Sequence, residues 1–344
     1  MDLGRRESQT AIITEAGELV EKRLRSERER LRRFFVDRPR SRILVEASTI
    51  SEWVARVLED LGHEVVVADP NYAPMYAQRS RRVKTDKRDA QALAEACRLG
   101  AYRPAHRTSD EQRHVRALLG VRDKLVRTRA GLVTLVQALL SREGFRVCTG
   151  TSKCFSTRVK DLELPEDLVV EITPLLSMLE PLNEQILSVD RRLGEIARTD
   201  VRVRRVMTMP QIGPVTAVSF VATLDDVGRF RGAHQVEAYL GLVPREWSSS
   251  EVQRRGRITK AGNARMRWLL VEAAWRVATN KRRPETEALR SWADRIARRR
   301  GKRVAMVALA RKLSGILYAM WRDGSVYDPA KLGGAQGTSA TRAA

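Results

Sequence analysis

Leu118, Leu125, Leu132 and Leu139 recur every seven residues, with Val121 and Leu135 on the adjoining row. Further along, Leu168, Ile172, Leu175, Leu179, Leu182, Ile186, Val189, Leu193 and Ile196 alternate steps of four and three. Only a helix keeps residues at such spacings on one side, so the pattern demands long paired helices, as a coiled coil or a helical hairpin. Pro174 and Pro181 count against one continuous helix, which places the clean part of the second arm from about Glu180 onward. Between the arms, the Ser/Thr/Gly-containing stretch 143–165 reads as a loop. An intramolecular hairpin and a dimer seam predict the same spacing.

This arm, about 106–200, separates two regions of different character. Before it, SQTAIIT (8–14) and LVEKRL (19–24) flank the turn signal EAGE and read as a hairpin. A charged helix over 26–37, a strand RILVEA (42–47), a helix over 50–62, a strand EVVVAD (64–69) and a helix near 86–99 follow. That alternation predicts an α/β domain over 1–105. After the arm, 201–328 reads as mostly helical. Ile212-Gly213-Pro214 ahead of an apolar helix is the signature of a helix-hairpin-helix turn, whose backbone N–H groups meet a DNA phosphate. The last stretch, 329–344, reads as a disordered tail.

Charge narrows the function classes. Among 344 residues, 64 Lys and Arg face 42 Asp and Glu, a net +22. Residues 251–312 alone hold nineteen basic against five acidic residues, +14 of the total. Such density attracts a polyanion and gains affinity from released counterions, so the expected partner is nucleic acid. Arg254, Arg255, Arg257, Lys260, Arg265 and Arg267 are the candidate phosphate contacts. Trp268 and Trp275, seven apart, read as core residues rather than base-stacking platforms. No apolar run approaches the ~18 residues of a membrane span. The charged start MDLGRRESQ shows no secretory signal, and the expected location is cytoplasmic. Three cysteines form no disulfide framework, and four scattered histidines offer no metal centre. Any metal here needs oxygen ligands.

Carboxylates supply them. An acidic residue at a strand end is costly unless it is solvated or binds a cation. Asp2 opens the first segment, and Glu46 ends the apolar run Ile43-Leu44-Val45. Asp86 and Asp89, three apart in KTDKRDAQALAEA, project from one helix face. Four such groups suit one or two Mg²⁺ ions for phosphodiester chemistry. Helix capping by Asp86 and a disordered terminus at Asp2 are the competing readings.

With these residues in view, the chain resembles the DEDD-type transposases of the bacterial insertion-sequence one-ten class. The resemblance runs over about 1–328 and rests on DLGRRES, LVEAS, KTDKRDAQALA, IGPVTA, YLGLVPREWSSS and GRITKAGNARMRWLLVEAAW, in that order. It implies a ribonuclease-H-like (RuvC-like) first domain, a coiled-coil arm and a C-terminal transposase domain. The family's four acidic metal ligands fall on Asp2, Glu46, Asp86 and Asp89. Also implied are Mg²⁺, homo-oligomeric assembly as a dimer or tetramer, a structured guide RNA, and a serine nucleophile within Trp247-Ser248-Ser249-Ser250. Ser249 is the first choice there and Ser248 the next. By composition alone the three serines are a polar loop. Asp2 stands nearer the start than in similar proteins, so the first strand is truncated or translation begins upstream. Where the family often has glycine after its serine, this chain has Glu251. The expected activity is DNA strand cleavage and rejoining. Its rivals are a RuvC-like nuclease using water and a non-catalytic helix-hairpin-helix DNA-binding protein.

Overall fold

A computed structural model describes residues 1–76, 85–249 and 252–333. The chain divides into two compact units, Met1–Thr108 and Ser109–Ala344.

The first unit opens with an antiparallel hairpin of β1 (Glu7–Ile13) and β2 (Leu19–Arg25). Helix α1 (Arg28–Phe35) leads to β3 (Arg42–Glu46), and α2 (Ser51–Asp60) crosses over to β4 (Glu64–Ala68), which pairs parallel to β3. The unbroken apolar run of β3 is explained by cover on both faces. Ile43, Val45 and Val67 pack with Leu31, Phe35, Val54 and Leu58 of α1 and α2. Leu44 and Ala68 pack on the other side with Met75 and with Leu93 and Ala96 of α3 (Asp86–Leu99). Between hairpin and parallel pair lies the start of the chain. Asp2 and Gln9 exchange backbone hydrogen bonds of 2.9 Å in both directions. The Met1 ammonium donates to the Leu44 carbonyl at 2.7 Å. This short segment therefore runs beside β1 on one side and reaches β3 on the other. Its return to β1 is tight: a Cβ on Gly4 would lie 2.2 Å from the Glu7 carbonyl oxygen.

Among its described residues the second unit is helical apart from one hairpin. Helices α4 (Asp110–Arg142) and α7 (Leu179–Thr199) pack along each other within the chain. Arg122 pairs with Asp190, and Arg129 donates to the Asn183 side chain at 2.9 Å, an antiparallel register. The stretch 143–165, expected to be a loop, contains α5 (Phe155–Lys160). Phe155 and Val159 are buried with Val136, Leu140, Leu168, Ile172 and Leu179, closing a small core at the far end of the arm. Pro174 lies inside α6 (Glu166–Ser177), and α7 starts afresh at Leu179.

At its other end α4 is clasped by the C-terminal core. Asp225, buried and held at φ 62° just past α9 (Pro214–Leu224), accepts from the backbone N–H of Ser109 at 3.0 Å and from its hydroxyl. The Ser109 hydroxyl in turn caps α4, and Arg116 donates to the carbonyls of Ala222 and Thr223. The core is built on α13 (Lys302–Arg322), packed against α10 (Ala233–Tyr239), α11 (Ala264–Thr279) and α12 (Glu287–Arg300). No membrane-length apolar run was expected, yet α13 has that length and a mean hydropathy of 1.3. Ala305, Leu309, Leu313 and Leu317 show why: they are fully buried in the core.

Two further expectations are corrected. Trp268 and Trp275 are not core residues, being 50% and 37% exposed on α11. Met266, Leu269, Leu270, Ala273 and Val277 fill the core from the opposite face of that helix. The expected tail contains a final helical turn, Ala330–Gly333, and residues 334–344 lie outside the described residues.

Candidate active site

Three local devices deliver the four acidic side chains. Asp2 is fixed by the two backbone bonds to Gln9, and Glu46 stands at the end of β3. Asp86 and Asp89 occupy the first turn of α3. The helix is capped by Thr85, whose hydroxyl accepts from the Arg88 N–H at 3.3 Å. Capping is thus the work of Thr85, and the Asp86 carboxylate is left for other chemistry. Glu21 of β2 ties the same turn to the hairpin, accepting from Lys87 at 2.6 Å and from Gln91 at 2.7 Å.

These devices converge. Asp2, Glu46, Asp86 and Asp89 all line one cleft of about 410 Å³, joined by Glu7, Gln9 and Tyr76. Asp89 is buried, Asp2 and Glu46 are half-buried, and Asp86 is exposed. Burial first, then the neighbouring charges of Asp86, Asp89 and Glu46, push the Asp2 carboxyl above the usual carboxylate range. Desolvation likewise lowers the Met1 ammonium to about 6. The neighbouring negative charges that raise the proton affinity of Asp2 also favour a divalent cation, which removes the same repulsion. Among the described residues no three His, Cys, Asp or Glu groups are already drawn to metal-ligand spacing. What the cleft offers is four carboxylates in its lining, the hard oxygen donor chemistry of a divalent cation such as Mg²⁺ or Mn²⁺.

Tyr76 had no motif to announce it. Its hydroxyl donates to Glu46 Oε2, so it fixes the orientation of that carboxylate from the turn Ala73–Tyr76.

The second unit holds the other predicted residues. The serine stretch is not a loop up to Ser249: β5 (Pro244–Ser249) pairs antiparallel with β6 (Val252–Ile258), and Ser249 stands opposite Val252 at the hairpin end. Ser250 and Glu251 lie outside the described residues, as do the side chains of Ser248, Ser249, Arg254 and Arg255. Arg257 and Lys260 are exposed. Arg265 is committed to Asp123 at 2.9 Å. Arg267 is a staple rather than an open phosphate contact, since its Nη1 donates to the carbonyls of Leu240 at 3.2 Å and Gly262 at 3.3 Å, and to Ala261.

The helix-hairpin-helix reading needs a similar change. Helix α8 (Val201–Met207) is followed by the turn and then α9, with Gly213 at its N-cap and Pro214 in its first turn. Ile212 is buried and spends its N–H on the Met209 carbonyl at 3.1 Å, so it has no amide left for a phosphate. Gly213 shares a cleft of about 570 Å³ with Arg276 and Arg283, which carry the positive charge there.

Sequence comparison adds an independent line. A family profile for DEDD transposases of the IS110 type matches residues 1–144, the part that carries all four carboxylates. A second profile, described as the transposase IS116/IS110/IS902 family, matches residues 203–290. A Pseudomonas aeruginosa protein described as "Probable family 20 transposase" is 32% identical over 311 residues, spanning 88% of this chain and 90% of its own length. The chain belongs to the IS110/IS116 family of transposases. Other family members include the transposase for insertion sequence element IS1111A of Coxiella burnetii, 30% identical over 81% of this chain and 77% of the relative. The transposase for IS1328 of Yersinia enterocolitica is 29% identical over 89% of this chain and 91% of the relative. Membership assigns the chain the activity class expected from its motifs, that of an insertion-sequence transposase.

Proposed function

We propose that this transposase cleaves and rejoins DNA strands with Mg²⁺ held by Asp2, Glu46, Asp86 and Asp89 and with Ser249 as nucleophile. The observation that carries the reading is the convergence of the four carboxylates on one cleft. A ribonuclease-H-like arrangement agrees with it, because the Asp2 segment joins the hairpin to the β3–β4 pair. A bound divalent cation supplies charge neutralisation at the scissile phosphate. Ser249 Oγ gives up its proton and forms a new ester bond to phosphorus. The bond from phosphorus to one deoxyribose oxygen breaks, and that oxygen leaves as a hydroxyl on taking a proton. A hydroxyl of another strand then attacks the phosphoserine, forming the new phosphodiester and returning the serine. Gly213, Arg254, Arg255, Arg257 and Lys260 bind phosphates.

The family resemblance extends the proposal to a structured guide RNA and to a dimer or tetramer working on DNA in the cytoplasm. The deciding experiment is to trap the covalent intermediate. Incubation with element-end DNA and Mg²⁺, followed by denaturation, should leave a protein–DNA adduct that maps to Ser249. Strand cleavage without any adduct would assign the attack to water and overturn the serine reading.

A further inference from the structure

The outer face of α11 carries an arrangement that packing does not explain. Trp268 and Trp275 lie seven residues apart on one side of the helix and expose 50% and 37% of their surface. Leaving two indoles in water forfeits the burial that other aromatic residues of this unit gain; Phe220 and Tyr318 are almost fully buried. Most of the charged residues around them are cationic, with the half-buried Glu272 lying between the two indoles on the same face. Arg265 lies over the Trp268 ring, 4.3 Å from its centroid, and is pinned there by Asp123. The same carboxylate holds Arg127 at 2.9 Å, so two guanidinium groups share one counter-charge beside the ring. Arg276, next to Trp275, is exposed.

We infer that this face of α11 is a stacking platform for unpaired bases of single-stranded DNA, with Trp268 and Trp275 each taking one base and the exposed Arg127 and Arg276 neutralising the strand's phosphates. Three observations select this occupant. Seven residues of helix advance about 10.5 Å, close to three stacking steps of about 3.4 Å along one strand. Aromatic faces set among cations are what a sequence-tolerant single-strand surface requires, since every base has a π-face and every linkage a charge. A duplex hides its base faces, and a second copy of the chain would bring the same arginines against themselves. The inference rests on the transposase reading only for the choice of DNA, and it names the strand state that the enzyme holds on this face.

The test uses the full chain and fluorescence anisotropy with a labelled oligothymidylate, in the presence of a chelator so that no strand is cut. Its outcome is then independent of whether Ser249 or the carboxylates act as proposed. Two double variants are compared, W268L/W275L and W268F/W275F, both of which keep an apolar side chain on the exposed face. Stacking predicts that the leucine pair binds about a hundredfold more weakly, roughly tenfold per ring, and that the phenylalanine pair stays within about tenfold of the parent. Duplex binding by both should stay within twofold of the parent. Equal affinity of parent and leucine variant, or an equal loss on duplex, overturns the proposal. A loss confined to oligouridylate moves the site from DNA to RNA and overturns it as stated. Unchanged strand binding with a lower oligomeric state makes the face a protein contact instead.

Discussion

The carboxylate cleft and the serine hairpin are built in opposite ways. In the first unit, strand β3, the Asp2 segment and the first turn of α3 are each fixed by neighbours, and the four acidic groups reach one cleft as a result of core packing. In the second unit, Ser249 ends a hairpin that, among the described residues, joins no third strand, and Trp247 on the same strand is 61% exposed. Two strands alone are marginal in water, so such a hairpin takes much of its definition from what it meets. The contrast teaches that the carboxylate cleft is prepared by folding, whereas the serine hairpin takes its definition from what it meets, which on the proposed reading separates the metal-binding half of the chemistry from the nucleophilic half.

Five measurements would break or sharpen that contrast. Ser249→Ala should have the largest effect, abolishing adduct and recombinant product by several orders of magnitude while DNA binding stays near the parent's. Ser248→Ala and Ser250→Ala, assayed in parallel, should remain within about a hundredfold, the scale of a positional disturbance. Full activity in all three would remove serine chemistry from the hairpin. Next, Asp86→Asn and Asp89→Asn should each stop Mg²⁺-dependent cleavage without lowering the thermal midpoint. Undiminished cleavage would leave the cleft without a catalytic role.

Reversal of Arg254, Arg255 and Arg257 to Glu should then act on affinity. If the basic region neutralises about six phosphates, the log–log salt dependence of duplex binding has a slope near −5, and the triple variant should make it visibly shallower. An unchanged slope would turn these arginines away from DNA. Tyr76→Phe should cost about tenfold in cleavage rate by releasing the Glu46 carboxylate, with the loss reduced at high Mg²⁺. A loss that added metal does not reduce would give Tyr76 another role.

The smallest effect concerns pH. The Asp2 carboxyl titrates above its ordinary value in the fold, so its contribution to stability is full at acid pH and is lost as pH rises through that raised value. Cation binding opposes this loss. The rise in thermal midpoint produced by Mg²⁺ should therefore be largest at neutral pH and shrink in mild acid. A rise independent of pH would place the cation outside the cleft.

Much of the first unit was legible because its strands and helices alternate with clear hydropathy, and because an acidic residue at the end of β3 breaks an apolar run. Glu46 could be chosen for the same reason, and Asp86 with Asp89 from their three-residue spacing on one helix face. Tyr76 could not, since its role depends on where a short turn returns to Glu46. Helix α5 was hidden in a polar stretch whose one signal is the four-residue spacing of Phe155 and Val159. Seven-residue spacing put Trp268 and Trp275 on one face of a helix without saying which face meets the core. Ile212 was misread because a motif names a turn, whereas only the fold shows that its N–H is spent on Met209.

The Asp225 clasp has a mechanical side. A helix of 33 residues is about 50 Å long. Ser109, at its root, is held by the carboxylate of Asp225, a residue at positive φ, and about two turns further Arg116 grips the end of α9. With the fulcrum set in the core, a tilt of about 5° there would sweep the far tip of an arm of that length through about 4 Å. A load on the Phe155–Leu179 tip would be carried to the end of α9 that Arg116 and Ser109 hold, the geometry of a lever as well as of a spacer.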